Sequence, residues 1–176
     1  MKTMKKIIIC VVVLTVFALT FSSCSYFEDM SALIAQTIKG QDKTDDIPVN
    51  EAGEAAFAAL VAEFEQKGYT VNWEALEPMF LSAARRVILL NEGEVALNVF
   101  VYDNAEKAAE EASYFTEDGI NFVSEDTSIE ISWTYPPHLY LHDQLIILYA
   151  GDSADGVALC TEMFGEQFAG AAAEAE

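Results

Sequence analysis

His138 and His142 are the only histidines of the chain, and their spacing is the first that suggests chemistry. Four residues apart on a helix, two imidazoles share a face and can hold zinc. Pro136-Pro137 stands directly before them and starts an extended or turning segment instead. No Cys or Glu completes a ligand set, so no metal site is expected. The acidic runs Asp42 to Asp46 and Glu117-Asp118 lack the Asp-x-Asp-x-Asp-Gly pattern of a calcium loop. They read as solvated linker and turn. Cys160 lies on an apolar helical face with no basic neighbour to lower its pKa. It reads as a small buried hydrophobe rather than a nucleophile.

The densest cluster of recognition-type side chains is Trp133-Thr134-Tyr135-Pro136-Pro137-His138-Leu139-Tyr140. Aromatic rings interleaved with prolines make a contact surface for peptide or sugar. They equally make a rigid turn whose rings close a core edge. Trp133, Tyr135, Pro136, Pro137, His138 and Tyr140 are the candidate interaction surface. Gly151-Asp152-Ser153 resembles the nucleophile segment of chymotrypsin-like proteases, but that family continues Gly-Gly and here Ala154-Asp155 follows. An Asp/Ser helix cap accounts for it. No Gly-x-Ser-x-Gly elbow is present. With no catalytic constellation and no cofactor motif, a non-enzymatic binding module is the first expectation. An enzyme or ligand pocket using carboxylates such as Glu130 or Asp143 is the alternative, and a passive envelope role is the third.

These residues need elements to position them. Glu54 to Lys67 is a helix with the stripe Phe57, Leu60, Val61 and Phe64, stopped at Gly68. Tyr69 to Trp73 alternates as a short strand, and Glu74 to Ala84 is ambiguous around Pro78. Arg86 to Leu90, a turn with Gly93, and Val95 to Tyr102 form two strands. Asp103 or Asn104 then caps a helix to about Phe115, with Ala105, Ala108, Ala109, Ala112 and Phe115 inward. Ser128 to Tyr135 and Leu139 to Tyr149 repeat the strands. Asp152 or Ser153 caps a helix to Phe164, with Val157, Cys160 and Phe164 inward. Strand–strand–helix thus occurs twice. The expected fold is α+β, a two-layer sandwich with a largely antiparallel four- to five-stranded sheet and helices on one face. It resembles a circularly shifted ferredoxin-like plait.

The first residues settle where the protein works. Lys2, Lys5 and Lys6 precede an apolar run from Ile7 to Phe21, followed by Ser22-Ser23-Cys24. The run is short for a spanning helix and reads as an export signal. It resembles the lipobox of bacterial lipoproteins, with Phe21 where that motif usually has Leu. The resemblance implies that Cys24 is linked to a diacylglycerol and that residues 1–23 are removed. Two acyl chains hold a protein stably on a membrane. Residues 24–52 are expected as the tether, 53–169 as the domain and 170–176 as a disordered tail. Within the tether, Phe27, Met30, Ile34 and Ile38 have helical spacing.

The chain has nine basic and twenty-nine acidic residues, and three of the basic ones precede Cys24. The chain from Cys24 therefore carries a formal charge of −23. Phosphate backbones and anionic headgroups are repelled. Nucleic acid is excluded as a partner, and membrane attachment must come from the lipid on Cys24. A protein or peptide partner fits this balance.

From Asn98 to Gly170 the chain is similar to a group of uncharacterised small bacterial lipoproteins. The likeness rests on Tyr102-Asp103-Asn104-Ala105-Glu106, Asp118-Gly119, Pro137-His138 with Tyr140, Ile146 to Gly151, and Gly165-Glu166-Gln167-Phe168-Ala169-Gly170. It implies an anchored protein on the extracytoplasmic face of a bacterial membrane, and no mechanism.

Overall fold

The computed structural model describes residues 49–171. The signal, Cys24, most of the tether and the last five residues lie outside the described residues. Asn50 opens helix α1 (Glu51–Gln66), its side chain accepting from the Gly53 N–H at 2.8 Å. Glu51 and Glu54 in the first turn suit the positive end of the helix. Phe57, Leu60 and Phe64 are buried at helical spacing. Gly68, with φ +92°, ends the helix as the sequence indicates.

Strands β1 (Val71–Leu76), β2 (Ala84–Leu90) and β3 (Val95–Val101) follow as an antiparallel meander. Helix α2 (Ala105–Ala112) is capped by Asn104, whose side chain accepts from the Lys107 N–H. A small hairpin, β4 (Asn121–Val123) with β5 (Ser128–Glu130), stands apart from the main sheet. Strands β6 (Pro137–His142) and β7 (Leu145–Ala150) make the next hairpin, turning at Asp143 with φ +52°. Helix α3 (Ala154–Phe164) is capped by Ser153, and β8 (Ala169–Gly170) closes the chain. The six-stranded sheet has the order β1-β2-β3-β7-β6-β8, antiparallel throughout.

The α+β class and the antiparallel sheet agree with the sequence, and α1 and α3 share one face. Leu97, Val99 and Val101 of β3 and Leu145, Ile147 and Tyr149 of β7 meet these helices. Alternate residues of the same strands, Phe100, Ile146 and Leu148, pack with α2 on the other face. Helix α2 therefore differs from the expected one-face arrangement. The connections β3–α2–β6 and β7–α3–β8 both step toward the β8 edge, but from antiparallel strands. Two crossovers of the same hand must then place their helices on opposite faces. The strand that forces this, β8, was not foreseen, and it takes Gly170 out of the expected tail.

Two further boundaries move. The Ser128–Tyr135 strand is only three residues long. Leu139 to Tyr149 is a hairpin rather than one strand, because Asp143 and Gln144 supply a two-residue turn.

Candidate functional site

The Pro/aromatic segment does not form one surface. In β6 successive side chains alternate between the faces. His138 and Tyr140 point to the α1/α3 side, and both are core residues, 3% and 0% exposed. His138 stacks on Tyr149 with ring centroids 5.9 Å apart. Gln167 Nε2 donates to Ala171 O at 2.7 Å, which leaves Gln167 Oε1 to accept from His138 Nδ1 at 2.8 Å. Thr161 lies beside the Tyr140 hydroxyl, which makes no hydrogen bond within normal limits. Pro137 is buried and begins the strand; its carbonyl accepts from the Ala171 N–H, and Gln167 Nε2 bonds the Ala171 carbonyl that a proline N–H cannot reach. Trp133 packs in the α2-side core, and its Nε1 donates to Gly119 O at 2.8 Å. Tyr135 is half-buried and Pro136 exposed. Most of these rings complete a core edge.

His142 shares the face of His138, but four strand residues separate them by about 13 Å. Its ring meets Phe164 at 5.6 Å. Among the described residues, no three His, Cys, Asp or Glu side chains gather as a metal site. Glu130 and Asp143 are both exposed, one on β5 and one in the β6–β7 turn. Ser153 accepts from the Gly156 N–H as a helix cap. Gly151 and Gly156 leave room for the Tyr149 ring, which a Cβ at either would overlap.

Cys160 is fully buried, and burial pushes its thiol up to about 12. It should therefore resist iodoacetamide at pH 8 in the folded protein and react fully in guanidinium. Peptide mapping by mass spectrometry checks this; labelling of Cys160 without denaturant would show that the helix opens.

The polar groups that do gather lie around β2, where Arg85 and Arg86 are consecutive. In a strand, consecutive side chains reach opposite faces. Arg86 goes under α1 and is 8% exposed. Its Nη2 pairs with Glu54 Oε1. Its guanidinium lies 4.4 Å from the Phe57 ring centroid and 5.3 Å from that of Trp73. Phe57 and Trp73 meet edge-on at 5.1 Å. Cation–π contact fixes this stack, and Arg86 holds Glu54 below its ordinary pKa through the hydrogen bond they share. The outer part of Trp73 stays in solvent, 50% exposed.

Trp73 stands in the edge strand β1, whose residues Asn72 to Ala75 are all exposed. Asn91 N–H donates to Thr70 O at 2.9 Å, which marks Thr70 and Asn91 as a bonded pair. Antiparallel alternation then puts the next bonded pairs at Asn72–Leu89, Glu74–Val87 and Leu76–Arg85. The N–H and C=O groups of Val71, Trp73 and Ala75 point away from β2. The sequence reading ended this strand at Trp73 and missed the edge. The signal available was alternation continuing through Glu74 to Ala75.

Two clusters occupy the other face. Glu111 of α2 is buried and accepts from Tyr102 Oη at 2.9 Å, from Ser82 N–H at 3.1 Å and from the Ser82 hydroxyl. Burial and the neighbouring carboxylate push the Tyr102 phenol well above its usual value. Arg85 donates from Nε and Nη2 to Asn98 Oδ1, at 2.9 and 2.7 Å. No known protein family, curated protein or solved structure matches the chain.

Proposed function

We propose that this chain is a lipid-anchored binding module on the extracytoplasmic face of a bacterial membrane. Its domain captures an extended, basic segment of a partner protein along β1. The observation that carries the reading is the uncovered edge strand. Six residues long, it offers three residues' worth of outward backbone groups and a half-exposed tryptophan at its centre. Natural sheets blunt such edges with lysine, proline, bulges or very short strands. Here the edge carries Glu74, and Glu77 follows it. An added strand gains main-chain hydrogen bonds, and alternate side-chain positions supply selectivity.

Charge argues for the partner's nature. Residues 49–171 hold only four cations, Lys67, Arg85, Arg86 and Lys107, against twenty-two carboxylates. Lys67 is paired to Glu162 and Arg86 to Glu54. A second copy of so acidic a domain is repelled, and a basic segment is steered in. A cation of the segment next to Trp73 meets the half-exposed indole.

Ala75→Pro tests this without disturbing the fold. The Ala75 N–H points outward, so proline removes a docking donor and no ladder bond. Crosslinking the anchored protein in its native cells, with Cys24→Ala as the unanchored control, should capture a partner through a lysine- or arginine-rich segment. Ala75→Pro should cut that capture at least about tenfold, with the melting temperature shifted only a few degrees. Equal capture by Ala75→Pro sinks the edge as the contact site. A captured segment without basic residues sinks the charge argument.

A further inference from the structure

We propose that Arg85 and Asn98 form a binding site for the carboxylate of a small apolar monoacid, on the sheet face opposite α1. This proposal is independent of the β1 edge. Arg85 is half-buried, with Leu76 and Phe100 directly across from it on the neighbouring strands. Burial alone pulls its guanidinium down to about 10, with no acidic group opposing that effect. In a domain with twenty-two carboxylates, none of the described ones pairs with it. A guanidinium taken partly out of water without a counter-charge is costly. A neutral amide oxygen holds it in place without neutralising it.

The geometry of that hold says what is left to bind. Both Nε and Nη2 donate to the one oxygen of Asn98, so the side edge of the guanidinium is occupied. The end edge, Nη1 with the second hydrogen of Nη2, remains. That edge matches the two oxygens of a carboxylate in a bidentate pair. Asn98 is itself only 5% exposed, so the fork is fixed by a residue locked in the sheet.

The surroundings select the rest of the ligand. On this face Val87 lies opposite Asn98, and Leu89 lies opposite Ala96. All three apolar residues of this strip are only half-buried. Among the described residues, helix α2 packs mainly on β6 and β7 rather than over β2 and β3. An apolar chain lying along Val87, Leu89 and Ala96 would bring its carboxylate to Arg85. The acidic field of the domain disfavours phosphate and other multiply charged anions, while a single charge meets the least repulsion.

The test uses the full chain in detergent, with hexanoate as the probe and the Arg85 Nε and Asn98 side-chain amide resonances as readouts. Hexanoate should shift both signals saturably. Hexanol and inorganic phosphate should not. Arg85→Lys keeps the charge and loses the planar fork, and should bind at least about fivefold more weakly. Arg85→Met with Asn98→Leu removes both polar partners together, which folded proteins tolerate well. That pair should abolish the response and melt no lower than the parent. Unsaturable shifts, equal binding by Arg85→Lys, equal competition by phosphate, or a large loss of stability in the paired variant would each overturn the site. The last outcome would make Arg85–Asn98 a structural tie.

Discussion

Glu111→Ala should destabilise the domain by about 3 kcal/mol, the sum of an orphaned buried hydroxyl and a small cavity. Tyr102 is 1% exposed, and its hydroxyl donates to Glu111. Without that acceptor the phenol is buried with no partner, at a cost of about 1–3 kcal/mol. The Ser82 groups lose less, because Ser82 is exposed and water replaces the carboxylate. The lost side-chain packing beside Ala108 and Ala112 accounts for the remainder. For a domain of this size the melting temperature should fall by roughly 10 °C. Glu111→Gln keeps one oxygen for both Tyr102 and the Ser82 N–H and sets its NH2 only against the Ser82 hydroxyl, which turns to accept, so it should cost no more than about 1 kcal/mol. Tyr102→Phe removes the donor with little change of shape. Combined with Glu111→Ala, it should therefore cost less than the two single changes summed. Denaturant unfolding with a common slope measures all of these. A Glu111→Ala loss below about 1 kcal/mol would show that the carboxylate is a solvated helix residue that happens to lie inward.

The same residue explains what could be read from the sequence and what could not. The spacing of Phe57, Leu60 and Phe64 fixes the buried face of α1, because an apolar stripe has one reason to exist. The caps were legible to within one residue, as Asp103 or Asn104 and Asp152 or Ser153, from a short polar side chain before the helix; the structure uses Asn104 and Ser153. Helix α2 was legible as a helix but not in its rotation. Ala105 and Ala109, expected inward, are exposed, while Glu111 is buried. Alanine covers little area and fixes a helix face weakly, so the Tyr102 and Ser82 hydrogen bonds decide. Those partners come from the residue just after β3 and from the loop before β2, and no local spacing announces them. The candidate surface from Trp133 to Tyr140 failed for a related reason. Clustered rings say that a large apolar area must go somewhere, and strand alternation sent His138 and Tyr140 inward. The edge at β1 was hidden because edge position belongs to topology, and the order of six strands is set by pairings far apart in sequence.

Gly170→Ala should free the C-terminal segment and expose the outer side of β6, at a cost of about 2–4 kcal/mol from strain and lost pairing. Gly170 has φ +120°, a region that side chains rarely enter. Any Cβ there would also collide with the carbonyl oxygen of Pro137, which is backbone in a strand and has no room to give. The bonds at stake run through that point. Gly170 N–H donates to Glu117 O at 2.9 Å and Ala171 N–H to Pro137 O at 2.8 Å. Phe168 N–H donates to Leu139 O at 2.9 Å, and Gln167 secures His138. Hydrogen exchange should speed up at Phe168, Gly170 and Ala171 before the rest of the sheet is affected. Unchanged protection at these amides would show that the turn relaxes around the methyl group. The contrast with the opposite edge gives this prediction its functional weight. At one side of the sheet, a two-residue strand fixed by a glycine no other residue can replace closes the edge. At the other, β1 ends the sheet at full length with its outward backbone groups free of any such device. A fold that needed only to avoid aggregation would blunt both sides. The charge that repels a second copy at β1 acts equally at the outer side of β6, so Gly170→Ala should stay monomeric, and the native β1 edge, beside Glu74 and Glu77, stays open only to a segment of opposite charge.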